Sequence, residues 1–124
     1  DGSERDVVAK LFLEKTADKQ RYFNEAMTQM LAHEYAEEFN SYNVARTIGF
    51  NSIHVCKLVE RGGQLATVEP FLEGQYFKHN DNDGYVFGND PIPQAFSHFS
   101  WEVSNHQLLI CDIQGVGDLY TDPQ

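Results

Sequence analysis

Between Gln20 and Asn40 the chain carries neither glycine nor proline, and Phe23, Met27, Met30 and Leu31 recur at intervals of three and four. Backbone that lacks both breakers and repeats apolar residues at that spacing is committed to an amphipathic helix, around which the other segments must pack. Those other segments read mostly as strands. Val7 to Leu13 is a short apolar run broken by Lys10. Ser52–Val59 alternates toward β, Arg61-Gly62-Gly63-Gln64 turns, and Leu65–Leu72 returns, predicting a hairpin whose second strand ends at Pro70. Gly74 to Pro93 is rich in Asn, Asp and Gly and is expected to be mostly loop, with a helical turn at Gln75–Lys78. Gln94–Val103 predicts a short buried helix with Pro93 at its start. Asn105-His106 then turns the chain into a buried strand, Leu108-Leu109-Ile110-Cys111. The order strand, helix, hairpin, loop, helix, strand is an α+β arrangement.

At 124 residues and 41% hydrophobic content, the chain can bury about two-thirds of its unfolded surface, enough for one domain. A formal net charge of −10 argues against nucleic acid and anionic membranes as partners, because both are bound through clustered positive charge. No apolar run is long enough to span a bilayer, and Asp1-Gly2-Ser3-Glu4-Arg5-Asp6 is not a signal peptide. The chain therefore reads as soluble and cytoplasmic. Cys56 and Cys111 lie in separate apolar runs with no CxxC spacing and are expected to be free thiols.

Several residues stand out chemically. Lys10, flanked by Val8, Ala9, Leu11 and Phe12, is either exposed on an edge strand or buried with an anionic partner. At 100° per residue, Glu34, Glu37 and Glu38 fall within the stripe defined by Phe23, Met27, Met30 and Leu31. At the chain's end, Asp112 and Gln114 share a face by the period of two, and a glycine-punctuated loop returns Asp118 and Asp122. Oxygen ligands of this kind suit magnesium, which takes one or two carboxylates and completes its shell with water and phosphate; an acidic turn is the simpler alternative. His98 lies among Phe96, Phe99 and Trp101 and is expected to be buried. His79-Asn80-Asp81-Asn82-Asp83-Gly84 departs from a calcium loop at its first position and reads as a solvated turn.

Asp112-Ile113-Gln114-Gly115-Val116-Gly117-Asp118-Leu119-Tyr120-Thr121-Asp122-Pro123-Gln124, with Pro93-Gln94-Ala95-Phe96-Ser97-His98-Phe99 and Val8-Ala9-Lys10, resembles the atypical alpha-kinase family in its elongation-factor-2 kinase and myosin heavy chain kinase branch. Three separated motifs in the family's order make the match specific. The resemblance implies a protein-kinase-like two-lobed fold, of which this chain spans the lysine strand, the following helix, the hinge and the catalytic strand and loop. The N-lobe start, the glycine-rich nucleotide loop and the zinc module would lie outside residues 1–124.

By that resemblance the parent is an ATP-dependent serine/threonine protein kinase acting on a protein substrate of the translation-factor or myosin-heavy-chain type. Lys10 contacts the nucleotide phosphates, and Glu37, the first glutamate of Glu37-Glu38-Phe39-Asn40, is the helix glutamate that pairs with it, with Glu34 as the alternative. Glu69 and the Phe71 backbone meet adenine in the hinge. Asp112 is the catalytic aspartate, and Gln114 and Asp122 hold Mg2+. His98 is one of four ligands of a structural Zn2+ whose other three are absent from this chain. The His-Arg-Asp and Asp-Phe-Gly signatures of conventional protein kinases are missing. Two other classes compete: an incomplete kinase fragment that only binds a partner, and a phosphoesterase that clusters Asp112, Asp118 and Asp122 around two metal ions.

Overall fold

The computed structural model of the chain describes residues 6–12 and 19–124. Its elements in chain order are β1 (Val7–Lys10), α1 (Lys19–Asn40), β2 (Gly49–Phe50), β3 (His54–Leu58), a 3₁₀ turn (Val59–Arg61), β4 (Gln64–Pro70), β5 (Tyr76–Lys78), α2 (Pro91–Val103), β6 (Gln114–Val116) and β7 (Leu119–Thr121). They build two sheets. One is antiparallel, in the order β1-β4-β3. The other runs β2-β7-β6-β5 and is antiparallel except where β2 lies parallel to β7. The α+β expectation, the long helix and the hairpin ending at Pro70 all hold. The first strand stops at Lys10, and Leu13, which the sequence would include in it, lies outside the described residues.

The helix turns a different face inward from the one its large apolar residues mark. Tyr22, Ala26, Gln29, Ala32, Ala36 and Phe39 are buried, whereas Phe23, Met27, Met30 and Leu31 are exposed, Met27 by 63%. Both sets repeat with the helical period, so periodicity alone does not choose between them. The buried set wins because three alanines let the helix axis approach the sheets closely, while aromatic rings anchor its two ends. The main core joins this face to β2, β7 and α2 through Phe39, Ile48, Phe50, Phe96, Ile110, Ile113 and Tyr120. Phe96 meets the rings of Phe39 at 5.7 Å and Phe50 at 5.6 Å, and Phe50 meets Tyr120 at 5.7 Å. Each such pair contributes about 0.5–1.5 kcal/mol beyond area burial.

Four further expectations change. Gln75–Lys78 closes no helical turn; Tyr76–Lys78 is an edge strand paired with β6. Helix α2 starts two residues earlier, with Pro91 in its first turn and Asp90 as N-cap accepting from the Ile92 N–H. Leu108–Cys111 is not a strand, and of its leucines Leu109 is 53% exposed. The chain there is held point by point: Ser100 Oγ accepts from the Ile110 N–H at 2.9 Å, and Cys111 and Gln124 exchange both backbone bonds. The last strands lie instead in the supposed glycine loop, where β6 and β7 form a hairpin around Gly117 and Asp118, with Gly117 at φ 58. Cys56 and Cys111 are free. Among the described residues no helix is long and apolar enough to cross a membrane.

Gly115 has no room for a side chain. A Cβ there would run into the Leu119 carbonyl and lie 2.8 Å from the Tyr120 Cα across the hairpin. Gly115→Ala is expected to lower unfolding stability by about 1–3 kcal/mol, read as a lower urea midpoint at unchanged slope.

His79 is buried between Phe77 (4.8 Å) and Tyr120 (5.8 Å), and its Nδ1 has no hydrogen-bond partner among the described residues. Burial, aided by Arg46 and opposed by Asp90 and Asp118, holds its pKa below the ordinary 6.5. The folded state therefore binds this proton less readily than the unfolded chain does. Stability from the neutral ring is complete above pH 6.5 and declines as pH falls through the folded pKa. His79→Phe should flatten the fall in melting temperature across that window, and an identical fall in both proteins would rule out His79 as its source.

Candidate functional site

Antiparallel pairing sets Lys10 opposite Thr67, which brings Glu69, two residues along β4 on the same face, within diagonal reach. Lys10 Nζ lies 3.8 Å from Glu69 Oε2 and 3.2 Å from Asp122 Oδ2, just beyond β7. Glu69 is 4% exposed, and a carboxylate so deep requires partners. Its Oε1 accepts from Thr121 Oγ1, from Asn51 Nδ2 at 3.1 Å and from Gln29 Nε2 at 3.3 Å. Its Oε2 accepts no hydrogen bond from the described residues and has the Lys10 charge as its compensation. Gln29 also donates to the Asn51 carbonyl at 2.8 Å and accepts the Asp122 N–H at 3.1 Å. One amide thus ties α1, the β2–β3 connection and the end of β7 to the buried carboxylate.

The expected Lys10–Glu37 pair does not form. Glu37 is largely exposed near the end of α1 and pairs with His33 one turn back, at 3.0 Å. It lies on the outward stripe with Phe23, Met27, Met30 and Leu31, so the reversed helix face removes it from the lysine. Glu34 is exposed as well. The helix acid near Lys10 is Glu25, whose carboxyl is pushed above the usual range by burial and then by its hydrogen bond to Asp122.

Lys10 stands at the wall of a cleft of about 160 Å³ lined by Val8, Asn51, Glu69, Pro70, Phe71, Leu72, Tyr76 and Thr121. Apolar walls with a few convergent polar groups suit a flat heterocycle attached to an anion. Two details differ from the sequence reading. The Glu69 side chain is consumed by the network around Lys10, and the Phe71 N–H donates to the Asp6 carbonyl at 2.9 Å. Neither group is spare for a ligand, which leaves the carbonyl side of Phe71 and the adjoining Leu72.

At the other end, Asp112 is 5% exposed and adopts φ 56. That left-handed conformation is costly for a residue with a Cβ, and it ends any strand pattern, so Asp112 and Gln114 do not share a strand face. They are joined otherwise: Gln114 Nε2 donates to the Asp112 carbonyl at 3.0 Å and the Asp122 carbonyl at 3.4 Å, while its Oε1 accepts from the Tyr76 hydroxyl at 2.8 Å. Lys78 Nζ lies 3.1 Å from Asp112 Oδ1. Asp118 turns away to Arg46, which also holds Asp90, at 3.1 and 2.6 Å respectively. Asp112, Asp118 and Asp122 therefore face three different cations and build no acidic cluster. Among the described residues no group of three or more His, Cys, Asp or Glu could hold a metal ion.

His98 is exposed and not buried, with Glu102 at 3.8 Å. The buried side of α2 is Pro93, Phe96 and Ser100, and His98 lies opposite that stripe. Sequence reasoning missed Lys78, Gln29, Asn51, Tyr76 and Thr121. Lys78 had a signal, a lone cation beside apolar residues like Lys10, hidden by reading its segment as a helical turn. The uncharged polar residues had none, because their importance comes from convergence across elements.

The whole of residues 1–124 matches the family model described as the Alpha-kinase family. Among curated proteins, the chain is 48% identical to alpha-protein kinase 1 of Dictyostelium discoideum, over all of this chain and 9% of that protein. It is 46% identical to the eukaryotic elongation factor 2 kinase of Rattus norvegicus, over 94% of this chain and 16% of that one. The alpha-kinase domain of myosin heavy chain kinase A, solved in complex with ADP, superposes with a TM-score of 0.88 at 42% identity, over 95% of this chain and 49% of that one. The chain thus spans under a fifth of these curated relatives and about half of the solved domain. With the family model matched end to end and the fold shared at that identity, the chain belongs to the alpha-kinase family.

Proposed function

We propose that residues 1–124 form the central part of an alpha-kinase catalytic domain, and that the complete domain is a cytoplasmic serine/threonine protein kinase transferring the ATP γ-phosphate to a protein hydroxyl. The observation that carries this reading is the position of Lys10 between Glu69 and Asp122 at an apolar-walled cleft, linked through Gln114 to the left-handed Asp112. Solved relatives in complex with AMP and ADP support a nucleotide in the cleft. The names of the relatives, elongation factor 2 kinase and myosin heavy chain kinase, support a protein substrate of one of those two kinds.

In this reading the adenine enters between Val8 and the Phe71–Leu72 segment, and Lys10 meets the phosphates. The substrate hydroxyl attacks the γ-phosphorus as its proton passes to Asp112; the new P–O bond forms as the bond to the ADP oxygen breaks. Lys78 holds Asp112 through Oδ1, which leaves Oδ2 for the hydroxyl. The donors for magnesium fit: Asp122 offers a carboxylate and Gln114 an amide oxygen, both hard ligands. Lys10 also faces two carboxylates, Glu69 and Asp122, with a single positive charge. Bound there, Mg2+ supplies charge neutralisation on the phosphates. Structural zinc does not fit the described residues, which bring His98 and His106 to one carboxylate, Glu102, and hold no group of three or more His, Cys, Asp or Glu able to bind a metal ion; as a zinc ligand His98 would need partners from elsewhere in the complete domain.

In protein carrying the complete domain, Asp112→Ala should lower turnover by at least about a hundredfold, on the order of 3 kcal/mol of transition-state stabilisation, with nucleotide affinity retained. Near-normal phosphate transfer to a protein by that variant would remove Asp112 from its role.

Lys10→Met should weaken nucleotide binding while the far-ultraviolet circular dichroism stays native. A double-mutant cycle of Lys10→Met with Asp122→Asn is expected to show about 0.5–3 kcal/mol of coupling, and the cycle with Glu37→Gln none. Coupling to Glu37 instead would restore the pairing that the helix face argues against.

A further inference from the structure

We infer that Asn80 is a positioning residue for phosphoryl transfer, acting through Ile113 to fix the backbone that carries Asp112; the inference rests on the kinase reading above. Asn80 is 6% exposed, and its amide is fully committed. Oδ1 accepts from the Ile113 N–H at 2.9 Å, and Nδ2 donates to Gln94 Oε1 at 2.7 Å and Ser97 Oγ at 3.2 Å. The neighbouring His79 N–H donates to the Ile113 carbonyl at 2.7 Å. Both polar backbone groups of Ile113, itself 0% exposed, are therefore held by two successive residues.

The reason a side chain is needed follows from Asp112. Pairing of β5 with β6 runs through Lys78 opposite Gln114 and would continue toward residue 112 if the chain stayed extended. At φ 56, Asp112 leaves the strand, and the Ile113 N–H has no ladder partner in this buried position. Asn80 supplies that acceptor and anchors it on α2. Residues 78–80 thus act as a template for 112–114: Lys78 takes the Asp112 carboxylate, His79 the Ile113 carbonyl, and Asn80 the Ile113 N–H. Loss of the Asn80 acceptor lets Asp112 relax toward ordinary extended backbone, away from the carbonyl contact with Gln114. The nucleotide cleft around Lys10 and Glu69 shares no lining residue with Asn80.

The test uses the complete domain, steady-state kinetics and ATP. Asn80→Leu, of similar volume without polar atoms, should lower kcat about ten- to a hundredfold and leave the KM for ATP within about twofold. Asn80→Asp keeps the acceptor for Ile113; the Gln94 amide can turn and Ser97 can donate, so kcat should return to within about threefold of the parent. An Asn80→Leu enzyme with the parent's kcat overturns the proposal. So does a joint loss of kcat and ATP affinity that Asn80→Asp does not restore, because that pattern describes general loosening of the fold. Two controls run alongside: absence of ATP-dependent transfer by the parent domain would strike the kinase reading itself, and full activity of Asp112→Ala would remove Asp112 from its role and this proposal with it, whereas an inactive Asp112→Ala beside an active Asn80→Leu strikes only the role of Asn80.

Discussion

The burial of the Glu69 carboxylate is the constraint on which the remaining architecture depends. Removing such a charge from water costs several kcal/mol unless good partners replace the lost hydration. Here the partners come from separate elements: Lys10 from β1, Gln29 from α1, Asn51 from the β2–β3 connection and Thr121 from β7. None of these is close to Glu69 in sequence, so the carboxylate is satisfied only when both sheets and the helix are assembled together. A buried ion pair of this kind is weak evidence for net stability, and a well-packed apolar substitute is often as stable. What it provides is an oriented lysine whose ammonium is directed by two fixed carboxylates at the wall of the cleft. The polar network is better understood as geometry for Lys10 than as reinforcement of the core.

The elements were legible in the sequence where local chemistry and tertiary packing agree. The hairpin from His54 to Pro70 follows from alternation, a Gly62-Gly63 turn and a terminal proline, and it forms as read. Lys10 and the Asp112–Asp122 segment stood out because charges beside apolar runs need explanation. The reading failed where two patterns share one period, as on α1, and where single hydrogen bonds replace a ladder, as from Leu108 to Ile113. Glu37 was lost with the helix face, and His98 with a count of aromatic neighbours that overlooked which side of α2 faces the core. Gln29, Asn51 and Thr121 were invisible because an uncharged amide or hydroxyl gains its role only from the residues that fold against it.

Two of the five left-handed non-glycine residues among the described ones are the carboxylates assigned to the chemistry. Asp112 and Asp122 both hold φ 56, a conformation that asks about 1–3 kcal/mol of a residue with a side chain and persists only when its surroundings over-determine it. The surroundings do so at each site. Asp122 is fixed by its N–H to Gln29 and its carboxylate to Lys10, and Asp112 by Lys78 and by the Gln114 amide on its carbonyl. Gln114 bonds both carbonyls, so the two strained residues are held against one side chain. The lysine end and the aspartate end of the site thus share a single rigid reference.

The same requirement accounts for the inverted helix. Phe23, Met27, Met30 and Leu31 lie outside the packing of residues 1–124, which span about half of the solved alpha-kinase domain. A face built from those residues would stand α1 well away from the sheets. Ala26, Ala32 and Ala36 add little apolar area but bring the helix backbone close, and Gln29 sits in the middle of that close face at 2% exposure. Its side chain is only long enough to reach Asn51, Glu69 and Asp122 together because the alanines on either side admit the approach. Packing that maximised buried apolar area would separate the amide from Asp122 and leave Glu69 short of a donor. Within residues 1–124, the face that α1 buries is therefore the one that completes the polar site, and the large apolar residues lie on its other side.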